Sequence, residues 1–215
     1  GLLGKTPENA DPMAKEEDLF WYKLVTQIWA PLQFINLFSI LWYATRAEHL
    51  DSLERVFLFI GMGVISGTIG INYSHELMHQ KDRMERWMGD ILLAMVLYSH
   101  FRSEHLLVHH RYVGTPRDPV TARYNEGFYR FYLRVLRQSP VSAFRAEQAK
   151  LARKGLSWTA RENPFWRYWG LQAGMLGFAA IVGGWSGLVL FLIQAGTAIW
   201  QLEVGMMAVG SLRWH

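Results

Sequence analysis

Long apolar runs, with the charges pushed between them, limit this chain more than any other feature. Phe20 to Tyr43 is broken only by Lys23 near its start and by Gln27, Gln33 and Asn36. Val56 to Ile71 carries no charge and passes into Asn72, Tyr73 and Ser74. Phe165 to Val182 and Leu188 to Trp200 flank the turn sequence Gly183-Gly184, and Asn163-Pro164 is a helix start signal ahead of them. About 20 apolar residues cross the hydrocarbon of a bilayer as a helix. An open chain in lipid must satisfy its own backbone, which leaves helices as the solution. The expected fold class is all-α, a polytopic transmembrane helix bundle with spans at 20–43, 56–74, 165–182 and 187–203. The mean hydropathy of +0.03 hides this, because it averages apolar runs against separate charged stretches.

Smaller signals agree. Eight of the 10 tryptophans lie within the apolar runs or near their ends, where apolar and wet surroundings meet. In the second run Gly63 and Gly67 are four apart, as are Ser66 and Gly70, a spacing that lets helices approach closely. Gly1 to Asp18 lacks a charged start followed by an apolar stretch, so it is no signal peptide, and the chain is expected to begin inside a longer protein.

Two histidine clusters stand where apolar and basic segments meet: His75-Glu76-Leu77-Met78-His79, and Glu104-His105 followed by His109-His110. Between them Trp87 to Phe101 is apolar but short. A crossing there would carry His105 about 27 Å from residue 87, to the face opposite His79. A shared site therefore requires 87–101 to be re-entrant or interfacial. The segment 102–164 is basic: Arg102 to Arg167 holds 13 of the chain's 22 Lys and Arg residues against 5 acids. This places it, with both clusters, on the cytoplasmic side. The charge suits anionic membrane lipid and argues against nucleic acid.

His75 and His79, at i and i+4, project from one helical face and can grip one metal ion, and His105 and His109 repeat the spacing, with His110 beside them. With no cysteine in the chain, His, Asp and Glu are the available ligands. His49 and His215 are read as ordinary hydrogen-bonded or surface histidines, and His100 as structural or supporting. His75-Glu76-Leu77-Met78-His79 fits the pattern of zinc peptidases, with the glutamate as general base. That reading leaves the second cluster unexplained, whereas five pooled imidazoles suit iron at two adjacent positions. A remnant that merely binds metal stays open as a third reading.

The order and spacing of Asn72-Tyr73-Ser74-His75-Glu76-Leu77-Met78-His79, Asp82-Arg83, Arg86-Trp87-Met88, Tyr98-Ser99-His100-Phe101, Glu104-His105, His109-His110 and Thr115-Pro116-Arg117-Asp118-Pro119 resemble the integral-membrane alkane 1-monooxygenases, relatives of the fatty-acid desaturases. The resemblance implies a non-haem site of two iron ions, O2 as co-substrate, and hydroxylation of the terminal methyl of a medium- or long-chain alkane drawn from the bilayer. It implies rubredoxin as electron donor and residence in the bacterial inner membrane. Carried over by motif, His75, His79, His105, His109 and His110 are metal ligands, and Glu76, Glu104 and Asp118 orient imidazoles from behind. Desaturation or hydroxylation of fatty acids is the alternative within the superfamily.

Departures from the pattern shape the remaining expectations. Gln80 intervenes before Lys81, and Leu106-Leu107-Val108 replaces a more polar spacer, pointing to altered packing or partner contact. After Trp200-Gln201-Leu202 the chain reads Glu203-Val204-Gly205-Met206-Met207-Ala208-Val209-Gly210 in place of the family's further histidine motifs. The chain is thus expected to be a truncated hydroxylase with five of its ligands, binding metal weakly.

Overall fold

The computed structural model describes residues 20–211, and the readings of Gly1 to Asp18 and of His215 fall outside them. The described residues are helical, without strands. Helix α1 (Phe20–Arg46) covers the first apolar run and extends three residues past Tyr43. The chain then turns into α2 (Ser52–Ile65) through a capping box: the Asp51 carboxylate accepts from Glu54 N–H at 2.8 Å, and Glu54 accepts from Asp51 N–H at 2.9 Å. A π-helical segment, π1 (Ser66–Gly70), leads without a break into α3 (Ile71–His79).

The small residues of the second run do what their spacing predicts. A Cβ on Gly63 would lie 2.7 Å from the Gln194 carbonyl oxygen, and one on Gly67 2.8 Å from that of Ala198. Gly70 lies as tightly against the Gln33 side chain of α1. The backbone of 63–70 is thereby pressed between the first and last helices.

Helix α4 (Arg83–Met95) starts on Asp82, whose carboxylate accepts from Met84 and Glu85 N–H. It folds back on α3, where Ser74 donates to the Gly89 carbonyl at 3.0 Å. It ends with Leu97 at φ 55° and Tyr98 N–H donating to the Leu93 carbonyl, a helix-terminating geometry that glycine more often supplies. The short α5 (Phe101–Glu104), a second π segment π2 (His105–His109) and the single turn α6 (His110–Tyr112) follow. Within the basic segment lies a helix that the search for apolar runs passed over, α7 (Phe128–Ala152).

Helix α8 (Pro164–Ser211) is two arms, 164–183 and 185–211, meeting at Gly184, where φ 61° and ψ −149° leave the helical region. The arms double back, because a Cβ on Gly187 would lie 2.7 Å from the Ala179 oxygen. Gly205 to Ser211 continue the second arm.

Three helices are long and apolar enough to cross a membrane, Lys23–Arg46, Ser52–His79 and Pro164–Ala208, the last reversing at Gly184. Their outer faces keep Ile35, Phe57, Ile181 and Leu192 exposed, the composition of a multi-pass membrane protein. Inside, Leu37, Leu41, Phe59, Leu92, Met95 and Phe191 form the main core. A buried polar layer joins the elements at the histidine end. Asp90 holds Arg102 at 2.8 Å and Arg167 at 2.9 Å, while Ser103 bonds Glu147 at 2.8 Å and the Tyr168 hydroxyl at 3.0 Å.

Candidate metal centre

Because α4 returns on α3 and does not carry the chain away, the two clusters meet. The Nε2 atoms of His75 and His105, thirty residues apart, lie 2.9 Å from each other, and His105 Nε2 is also 2.9 Å from His110 Nε2. Ring nitrogens of His75, His79 and His105 all fall within 4.8 Å. Two imidazoles each about 2.1 Å from one ion, at right angles, hold their nitrogens about 3.0 Å apart. The spacing, also that of a hydrogen bond between rings, is one a common ion could take up.

The second cluster departs from the expected i, i+4 pairing. In π2 the His110 N–H donates to the His105 carbonyl, so residues five apart complete one turn. His110 therefore joins His105, and His109 is turned toward Asp118, with Nδ1 2.8 Å from Oδ2. The His109 ring still stacks on His105 at 5.5 Å between centroids, and Nε2 remains available for a second ion. Both π segments lie at or just ahead of a histidine cluster, where such irregularities are most often met.

Burial grades across the centre. His105 is buried, His75 and His109 half-buried, and His79 and His110 exposed. Burial, followed by the neighbouring imidazoles, pushes the His105 ring down to about 3, and His110 is lowered for the same reasons. Both rings are thus neutral at ordinary pH, with lone pairs free for a metal.

The three acids differ. Asp118 is fully buried; desolvation works against its charge, but bonds from His109, Thr121 and the Val120 N–H outweigh this and hold its carboxyl below the usual range. A charged carboxylate on Nδ1 fixes a ring's tautomer and turns Nε2 outward. Glu76 is exposed on α3 beside His75. Glu104 is buried with neither oxygen hydrogen-bonded, and burial, with the Asp118 and Glu203 charges added, lifts it to about 9. Among the described residues it bonds no imidazole. His100, packed on Tyr98 at 4.5 Å between ring centroids, has its Nε2 buried and lies outside the convergent set. His49 bonds the Tyr43 hydroxyl at 3.0 Å, an ordinary surface role.

Sequence reasoning missed Glu203, which reaches across from α8 to accept from the Tyr98 hydroxyl at 2.9 Å in a buried position. A lone acid closing an apolar run was its only signal.

The donor set fits a non-haem diiron site: imidazoles alone, pooled from two clusters, with a carboxylate behind one ring. The buried, unpartnered Nδ1 of His105 and oxygens of Glu104 fit a polar centre completed by further groups.

Comparison with known proteins agrees with this chemistry. The sequence profile of the fatty acid desaturase family matches residues 52–215. Alkane 1-monooxygenase 1 of Pseudomonas aeruginosa is 32% identical over 94% of this chain and 54% of its own length. The alkane 1-monooxygenase of Ectopseudomonas oleovorans is 31% identical over 91% of the chain and 48% of its own. The hydroxylase component of the xylene/toluene monooxygenase of Pseudomonas putida is 27% identical over 81% and 48%. The chain spans about half the length of these curated relatives.

Proposed function

Because the chain belongs to the fatty acid desaturase family, we propose that it serves as a membrane non-haem diiron monooxygenase, hydroxylating the terminal methyl of medium- or long-chain alkanes with O2 and electrons from rubredoxin. One observation carries this reading: imidazoles from clusters thirty residues apart converge to 2.9 Å. Similarity to several alkane 1-monooxygenases supports the substrate class.

His75, His79, His105 and His110 would hold one ion and share the second with His109. Bound iron supplies the reduction of O2 and the oxidising power against a strong C–H bond. The chain's own residues do the rest. Asp118 accepts from His109 Nδ1 and keeps that ring aimed. Burial keeps His105 unprotonated. The core beneath, with Met78, Leu93 and Phe101, excludes water from the inner side. Alkane reaches the centre from the bilayer, and the centre faces the cytoplasm, where the basic segment 102–164 receives the acidic electron donor at the bacterial inner membrane.

The trio His75, His79 and His105 with Glu76 is also the donor set of a zinc peptidase. Metal analysis of the purified protein, with octane oxidation under reduced rubredoxin, separates the two. Iron lost on His105→Ala supports the monooxygenase. Zinc as the sole metal, with peptide cleavage abolished by Glu76→Gln, would overturn it.

A further inference from the structure

A groove of about 700 Å3 lies between the Leu106-Leu107-Val108 side of the π2 segment and one face of α7. Its floor is apolar, from Leu106, Leu107, Val108, Val141 and Ala149. Its rim is five arginines, Arg111, Arg117, Arg137, Arg145 and Arg153, and no acidic residue lines it. All five are exposed. Arg102, Arg134 and Arg167 are each held by a carboxylate. The rim arginines have no such partner among the described residues, and Arg111 and Arg117 lie instead over the Tyr112 ring, at 5.3 and 5.8 Å. Like charges gathered without counter-charge around one apolar floor repel each other, and an anion seated among them removes that cost.

We propose that this groove binds an anionic phospholipid, its phosphate among the arginines and part of an acyl chain along the floor. The volume falls in the range of small-molecule sites, about 300–1,000 Å3. The surface is concave and two-toned, unlike the broad patch of about 800 Å2 that a protein partner covers. The Arg153 end adjoins the segment holding Trp158, Trp166 and Trp169, all at least 42% exposed where α8 begins, and exposed tryptophans gather at headgroup depth. The proposal does not rest on the histidine chemistry, although Leu106, Leu107 and Val108 share the π2 segment with His105 and His109.

The test is lipid binding by the full chain in neutral detergent, followed by native mass spectrometry, with phosphatidylglycerol and phosphatidylcholine of identical acyl chains. Phosphatidylglycerol should be retained and phosphatidylcholine should not. Each basic residue near an anionic headgroup is worth about fivefold, so R137Q/R145Q should weaken phosphatidylglycerol binding about 25-fold. R161Q, outside the groove, should leave it unchanged, and matching circular dichroism shows that the variants fold. Equal retention of the two lipids, or an unaffected double variant, overturns the proposal. So does an acidic carrier protein whose binding is lost in the double variant while phosphatidylglycerol binding stays intact, since the groove would then be a protein dock.

Discussion

At the scale of residues, the imidazole that binds and the group that aims it are separable. Asp118 touches the centre only through His109 Nδ1. Asp118→Asn keeps the shape but removes the charge, and should weaken metal binding about 10- to 100-fold, read by competition with a chelator. Glu76→Gln, at an exposed position, should leave metal affinity nearly unchanged. A second residue-scale effect lies outside the centre. Arg134 bonds Glu126 at 2.8 Å and the Pro119 and Thr121 carbonyls, clamping the 119–126 loop to α7. Chiefly through that arginine's hydrogen bonds, Glu126 is held below the usual carboxylate range. A folded-state value lower than the unfolded one stabilises above the unfolded value, about 4.3, and that contribution is lost as pH falls through the folded value. Glu126→Gln should therefore cost about 1 kcal/mol at about pH 7. The gap to the parent in thermal unfolding should close as the pH falls through that lowered folded-state value; a constant gap would show that the charge is irrelevant. The five histidines were legible as a group from spacing alone. Which of His109 and His110 joins His105 was not, because the π register depends on backbone bonding that i, i+4 arithmetic assumes away.

At the scale of elements, the stripe Gly63, Ser66, Gly67 and Gly70 was read from the sequence as a helix contact, and it sits against α8 and α1. Backbone atoms of Ala198 cannot swing aside, so Gly67→Ala overpacks the contact and should cost about 1–3 kcal/mol. Gly61→Ala, where nothing lies within 4 Å, should be neutral or slightly stabilising. Unfolding in mixed micelles distinguishes the two; equal effects would mean that α2 and α8 do not pack as described. Helix α7 was missed for a physical reason. It has too many arginines to stand out as apolar, and Pro140 sits inside it. Yet its buried positions Phe131, Val135, Ser139, Ala143, Glu147 and Leu151 recur every fourth residue, a narrow stripe that a search for long apolar runs passes over. Two of those positions, Ser139 and Glu147, are polar, which blurs the stripe further; Glu147 is satisfied by Ser103 from α5.

For the whole molecule, the reversal at Gly184 decides the topology. Composition alone counts Pro164–Ala208 as one crossing. The close approach of Gly187 to Ala179 and the Arg46 bond to the Val182 carbonyl, 2.9 Å, bring the turn to the far end of α1. The chain thus goes out along α1, returns along α2 to the histidines, and goes out and back along the two arms of α8. The α1–α2 turn and Gly184 should then share one side of the membrane, opposite the loop at 113–127. The absence of cysteine from the sequence makes this directly measurable. Ser186→Cys and Tyr124→Cys, both at exposed positions, provide one thiol on each side. In sealed vesicles of a single orientation, a membrane-impermeant maleimide should label one variant and spare the other, with the pattern exchanged when the vesicles are inverted. Labelling of both from the same side would place Gly184 on the side of the 113–127 loop, and the fourfold bundle that holds the two histidine clusters together would have to be redrawn.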